Sequence, residues 1–226
     1  MSLDFSFLSE YYPLYISGTM NTILLALFSV LIGAALGTLL ALMKLSKNIV
    51  LKGISVSYIE FVRGTPLLIQ LMIFYFAVIP AIGIESRGST ILGGDFIGFL
   101  ACIIALSLNS AAYVAEIIRA GIESIDNGQM EAARSLGMNK VQAMRYVILP
   151  QAIKNILPAL GNEFIVVIKE SAIVSVIGIH DIMFNANTIT AKTWDPFPPL
   201  IFAALIYFVL TFSLSKGLAA FERRLK

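Results

Sequence analysis

Charge is what this sequence has least of. Only 13% of its 226 residues are Asp, Glu, Lys or Arg, while 58% are hydrophobic and mean hydropathy is +0.87, a balance far from that of a soluble domain. With one cysteine, Cys102, and one histidine, His180, a single chain builds neither a disulfide framework nor a metal centre. No glycine-rich segment followed by Lys and Ser or Thr is present to cradle nucleotide phosphates, so the chain is not expected to bind ATP in the usual way. The polar residues are too scattered for a membrane-embedded enzyme, which needs a clustered nucleophile or metal set. The opening MSLDFSFLSEYYPLYISG carries acids and no basic n-region, and a cleaved signal is not expected.

What the sequence does have is long apolar runs. Stretches able to cross hydrocarbon, about 20 residues each, fall near residues 17–43, 54–79, 96–120, 153–176 and 198–221. The expectation is an all-α integral membrane protein, one domain over 1–226 with five transmembrane helices. Basic residues set its orientation. Lys44, Lys47, Lys52 and Arg63 flank the first connection, Arg119, Arg134, Lys140, Arg145 and Lys154 fill the third, and Lys216, Arg223, Arg224 and Lys226 close the chain. That side is expected to be cytoplasmic. The opposite side holds Arg87, Lys192 and Lys169 among the acids Glu85, Asp95, Glu170, Asp181 and Asp195. The N-terminus is therefore expected outside and the C-terminus inside, with Phe5, Phe7, Tyr11, Tyr12 and Tyr15 as an outer aromatic belt.

Within the crossings, Ser29, Gly33, Gly37 and Ala41 recur every fourth residue, a seam along which another backbone can approach closely. Pro66, after Arg63-Gly64-Thr65, is expected to kink the second crossing. Asn109, Tyr113 and Glu116 share one face of the third crossing, Asn109 and Tyr113 deep enough to line a cavity and Glu116 spaced to pair with Arg119. Asn155, Asn162 and Lys169, spaced by seven, stripe the fourth crossing, with Glu163 beside them and Glu170 one repeat on. Thirteen residues after Pro150, at about 1.5 Å each, Glu163 stands near the membrane's middle, where a carboxylate needs water or a cation. Two readings of it stay open: a solute contact helped by Asn162, Tyr113 and Asn109, or an internal bond to Asn109 or another helix.

Residues 121–150 form a charged loop longer than a simple link requires. Asp126 or Asn127 can cap a short helix, Gly137 can end it with a left-handed turn, and Asn139 can cap a second helix running to Pro150. Two short helices joined at a glycine make a rigid knob. Ala132 and Ala133 thin one side, and Met138, Val141 and Met144 offer adaptable apolar contact.

These residues carry a resemblance. Glu131-Ala132-Ala133, Gly137 and Ile148-Leu149-Pro150 resemble the cytoplasmic signature loop of permease subunits of ATP-binding cassette importers. Ala112-Tyr113-Val114-Ala115-Glu116, Arg119-Ala120-Gly121-Ile122, Arg63-Gly64-Thr65-Pro66-Leu67-Leu68-Ile69-Gln70 and Lys169-Glu170-Ser171 are similar to the polar amino acid uptake branch of that family. The resemblance spans nearly the whole chain. It implies a multi-pass subunit of a bacterial plasma (inner) membrane that pairs with a second permease, identical or similar. Two ATPase subunits would carry ATP and Mg and hold the loop through Glu131, Ala132, Ala133, Leu136, Gly137 and Met138. An external binding protein would deliver a polar amino acid; no cofactor on this chain, no catalytic residue and no nucleic acid is implied. The alternative class is a secondary transporter or channel, for which no inverted internal repeat is visible.

Overall fold

The computed structural model describes residues 5–83 and 95–225, and every regular element among them is helical. Glu85, Arg87 and Lys226 of the charge argument lie outside the described residues. α1 (Leu8–Lys44) takes Tyr11, Tyr12 and Tyr15 of the expected aromatic belt into its first turns, with Phe5 and Phe7 ahead of it, so the helix starts well before the first expected crossing. α2 (Ile49–Arg63) is capped by Asn48, whose side chain accepts from the N–H groups of Val50 and Leu51. α3 (Leu67–Ile73) continues through a widened turn, Phe74–Val78, into α4 (Ile79–Ala81). α5 (Phe96–Glu123) is capped by Asp95. The loop after α5 holds α6 (Asn127–Ser135) and α7 (Lys140–Ala143), and a second widened turn, Met144–Ile148, leads into α8 (Leu149–Glu170). A 3₁₀ segment, Ser171–Ile177, precedes α9 (Ile182–Thr193) and α10 (Phe197–Leu225).

Both widened turns end two residues before a proline, Pro80 and Pro150. A proline ring collides with the carbonyl four residues back and supplies no N–H. Opening the preceding turn relieves the collision, and the N–H groups of Ile79 and Leu149 reach back to Phe74 O and Met144 O instead.

The small-residue seam packs within the chain itself. Ser29, Gly33, Gly37 and Ala41 are buried, and a Cβ built on Gly37 would lie 2.7 Å from Ala111 O and from Val114 Cβ of α5. Ser29 Oγ donates to Ile103 O across the same contact. Around this pair, Leu25, Leu71, Phe99, Cys102, Leu106 and Val174 form a core that joins α1, α3, α5 and the 3₁₀ segment. Toward the N-terminal end of α1, Tyr15, Ile182, Ala186, Ile189 and Ala203 join α1, α9 and α10.

The second expected crossing, 54–79, is not one gently kinked helix. Ile49–Arg63 and Leu67–Ala81 meet at 106°. Three helices, α1, α5 and α10, are by themselves long and apolar enough to cross a membrane, and a fourth span results if the bent pair is counted as one. α8 falls outside that set because Lys154, Glu163, Lys169 and Glu170 interrupt its apolar face. The connection 177–197 between the last two expected crossings holds α9.

Candidate functional site

Glu163 is 8% exposed. It points from α8 toward α5, where Ser110 Oγ donates to its Oε1 at 2.9 Å. Gly33 of α1 closes the spot from the third side, since a Cβ there would stand 3.0 Å from Ser110 Cβ. Among the described residues no Lys or Arg lies within ion-pair distance of this carboxylate; the ion pairs found all involve Glu116 or Glu123.

The other three expected site residues do not gather around it. Asn109 is buried but faces the elbow, its Nδ2 donating to Gln70 Oε1 at 3.0 Å. Gln70 Nε2 in turn donates to Val62 O, Thr65 O and Thr65 Oγ1. That side chain satisfies carbonyls left open where the helix breaks, the condition for irregular backbone at membrane depth. Tyr113 is 37% exposed beneath the guanidinium of Arg63, 5.6 Å from ring centre to Cζ. Asn162 is exposed, as are Asn155 and Lys169, so the polar stripe of α8 lies on the outside of the single chain. Ser110 and Gln70 went unremarked as site residues; the position of Ser110 directly after Asn109 was the available signal.

Glu116 pairs with Arg119, as spacing suggested, at 3.0 Å, and also takes Lys44 and, at 3.7 Å, Arg63. One carboxylate thus binds the ends of α1, α2 and α5 together where α5 enters the loop. A second buried acid, Asp181, sits at the opposite end in the connection before α9. It accepts from Phe184 N–H at 2.8 Å and from Tyr207 O–H at 3.3 Å, and burial pushes its carboxyl up to about 6. No group of three or more His, Cys, Asp and Glu able to hold a metal is found among the described residues.

The loop is built much as its local chemistry requires. Asp126 caps α6 by accepting from Gly128 N–H at 2.8 Å. Gly137, at φ 88°, ends it, with Met138 N–H returning to Ala133 O and Gly137 N–H to Arg134 O, a Schellman closure. Asn139 and Gln142 form a reciprocal capping box, both bonds 2.9 Å. Ala133 and Ala143 turn inward, Met138 is half-buried, and Glu131 and Ala132 are exposed. Leu136 is 82% and Val141 75% exposed, an apolar surface with no cover from this chain. Gln151 Nε2, donating to Gln129 Oε1 at 3.3 Å and to Val147 O at 2.8 Å, ties α6 to the start of α8.

Residues 30–226 match the family described as binding-protein-dependent transport system inner membrane component. The arginine transport system permease protein ArtQ of Bacillus subtilis is 45% identical over 226 residues, covering 100% of this chain and 99% of that protein. The nopaline transport system permease protein NocM of Agrobacterium fabrum is 37% identical over 215 residues, covering 95% and 88%. A crystal structure described as an amino acid ABC transporter with histidines superposes with a TM-score of 0.90 at 52% identity, covering 99% of this chain and 100% of that one.

Proposed function

The chain belongs to the family of binding-protein-dependent transport system inner membrane components, and on that premise we propose that it imports a polar amino acid, working as one membrane subunit of an ATP-driven complex. It is a transport subunit and not an enzyme; ATP hydrolysis resides on a separate subunit. Its partners are two ATPase chains, a second permease and an external binding protein. The orientation is N-terminus outside, with five crossings in a bacterial inner membrane. Two of the five are irregular, the elbow of α2 with 67–81 and the charge-bearing α8. At the elbow the open carbonyls of Val62 and Thr65 are met by Gln70, which is what allows an irregular span.

The observation that carries the substrate reading is Glu163. A carboxylate this buried, held by one hydroxyl and no described cation, lacks the partner that its charge demands. Every free amino acid brings an α-ammonium group, which meets a buried carboxylate in a strong charge-assisted bond. Asn162, Tyr113 and Asn109 complete the set of candidate contacts; their separation supports a path running past them more than one closed pocket. Energy enters through the loop. Glu131, Ala132, Ala133, Leu136, Gly137 and Met138 form the surface offered to the ATPase, which the exposed Leu136 supports.

Glu163→Gln keeps the shape and removes the charge. A charge-assisted bond is worth about 1.5–3 kcal/mol, so uptake into proteoliposomes should fall about tenfold or more while complex assembly and basal ATP hydrolysis persist. Unchanged affinity and rate in that variant would return Glu163 to a structural role.

A further inference from the structure

Trp194 is the single tryptophan of the chain. It closes α9 at φ 56°, the one non-glycine residue in the left-handed region among those described, a position where glycine or asparagine is the usual occupant. Its backbone N–H donates to Thr190 O at 3.0 Å, yet its side chain is 92% exposed. No ring contact or side-chain hydrogen bond holds the indole to another described residue. A large amphipathic ring held outward in a strained conformation is left for a partner other than the described residues.

The neighbours fix its level. Tyr15 O–H donates to Pro199 O at 2.8 Å, pinning the first turn of α10 to α1. One turn outward from Tyr15, Lys192 Nζ lies 5.1 Å from the centre of the Tyr11 ring. Tyr11 and Tyr12 lie in the first turns of α1, and Trp194 follows Lys192 by two residues at the end of α9, so the four gather at the N-terminal end of α1. The headgroup layer is roughly 5–7 Å deep on each side, about one helical turn. Lys192 has no acid within ion-pair distance among the described residues. From Tyr12, the neighbour of Tyr11, a cavity of about 380 Å³ runs along α1 against α10, walled by Tyr12, Ile16, Met20, Ile23, Phe202 and Ile206.

An apolar slot below a cation and an unused indole N–H has the polarity of a phospholipid. We infer that an outer-leaflet phospholipid binds here, with an acyl chain in the α1–α10 slot, its phosphate at Lys192 and the Trp194 ring in the headgroup layer at the same height. The inference rests on the outward orientation of the N-terminus proposed above.

The test uses the assembled transporter in nanodiscs of phosphatidylglycerol and phosphatidylethanolamine with brominated acyl chains, the Trp194→Phe complex serving as the fluorescence blank. The expected result is that bromolipid quenches Trp194 and aqueous iodide does not. In detergent, Lys192→Gln should raise the concentration of brominated phosphatidylglycerol needed for half-quenching about fivefold, the effect of one basic residue at an anionic surface. Quenching by iodide alone would overturn the site, as would equal bromolipid titrations for wild type and Lys192→Gln. Quenching relieved only by adding the external binding protein would assign Trp194 to that protein instead, and emission shielded in lipid-free detergent would assign it to a second copy. In proteoliposomes of the same lipids, Trp194 reached by iodide trapped inside but not by iodide added outside would overturn the topology beneath the inference, separately from the site.

Discussion

One added methyl group should have opposite consequences at two glycines of adjacent helices. In α2, a Cβ on Gly53 meets nothing within 4 Å. Gly53→Ala there gains only helix propensity, about 0.5–1 kcal/mol. In α1, the same atom on Gly37 would stand 2.7 Å from Ala111 O and from both Val114 Cβ and Cγ1. The carbonyl belongs to the α5 backbone and cannot rotate away, so the two helices must part along the seam that Ser29, Gly33, Gly37 and Ala41 share. Overpacking of this kind costs about 1–3 kcal/mol. Taking the upper end for a backbone collision and subtracting the propensity gain leaves Gly37→Ala roughly 2 kcal/mol less stable. For a chain of this size that is a fall of about 4–8 °C in thermal midpoint, against a rise of about 1–4 °C for Gly53→Ala. Thermal unfolding in one detergent, followed by circular dichroism, measures both. If Gly37→Ala melts at or above the wild-type temperature, the α1–α5 approach described above is wrong.

Two further outcomes concern the ends of the molecule. Gly137 sits at φ 88° in open space, so Gly137→Ala strains the backbone by about 1 kcal/mol without a clash; it should lower the thermal midpoint by only about 2–4 °C while weakening copurification of the ATPase subunit, and Gly137→Asn, which tolerates that conformation, should restore both. Asp181 has its carboxyl raised from 3.8 to about 6, so between those values the folded chain keeps a proton that the unfolded chain has lost. Stability is then greatest below about pH 4, falls as pH rises through 6 by at most about 3 kcal/mol, and is flat above; Asp181→Asn, still able to cap α9, should abolish that slope in thermal scans.

What could be read ahead of the structure was the chemistry that acts over a few residues. Asp126, Gly137 and Asn139 end and begin helices through bonds to their own neighbours, so their residue types suffice to foretell the loop. The seam of small residues was legible because its period is helical, although nothing in it named α5 as the partner. The elbow was legible only as a break at Pro66. Its 106° angle depends on Gln70 reaching back to Val62 and across to Asn109, and a bond spanning 39 residues leaves no local trace. For the same reason Asn109 was grouped with Glu163, when the hydroxyl that meets Glu163 belongs to the adjacent residue, Ser110, about 100° around the helix. α9 escaped because its twelve residues are rich in Asn and Thr and follow no clear apolar period.

The widened turn at Met144–Ile148 lets helix run unbroken from residue 140 to residue 170 despite Pro150. Mechanically that makes a lever. Lys140 and Glu163 are 23 residues apart, so at 1.5 Å per residue about 35 Å of rod separates them, with Gln151, bonded to Gln129, near its middle. A rotation about the Gln151–Gln129 bond has arms of about 17 and 18 Å, so a tilt of ~10° moves the Glu163 end by ~3 Å, as far as it moves the loop end, and leaves each helix intact.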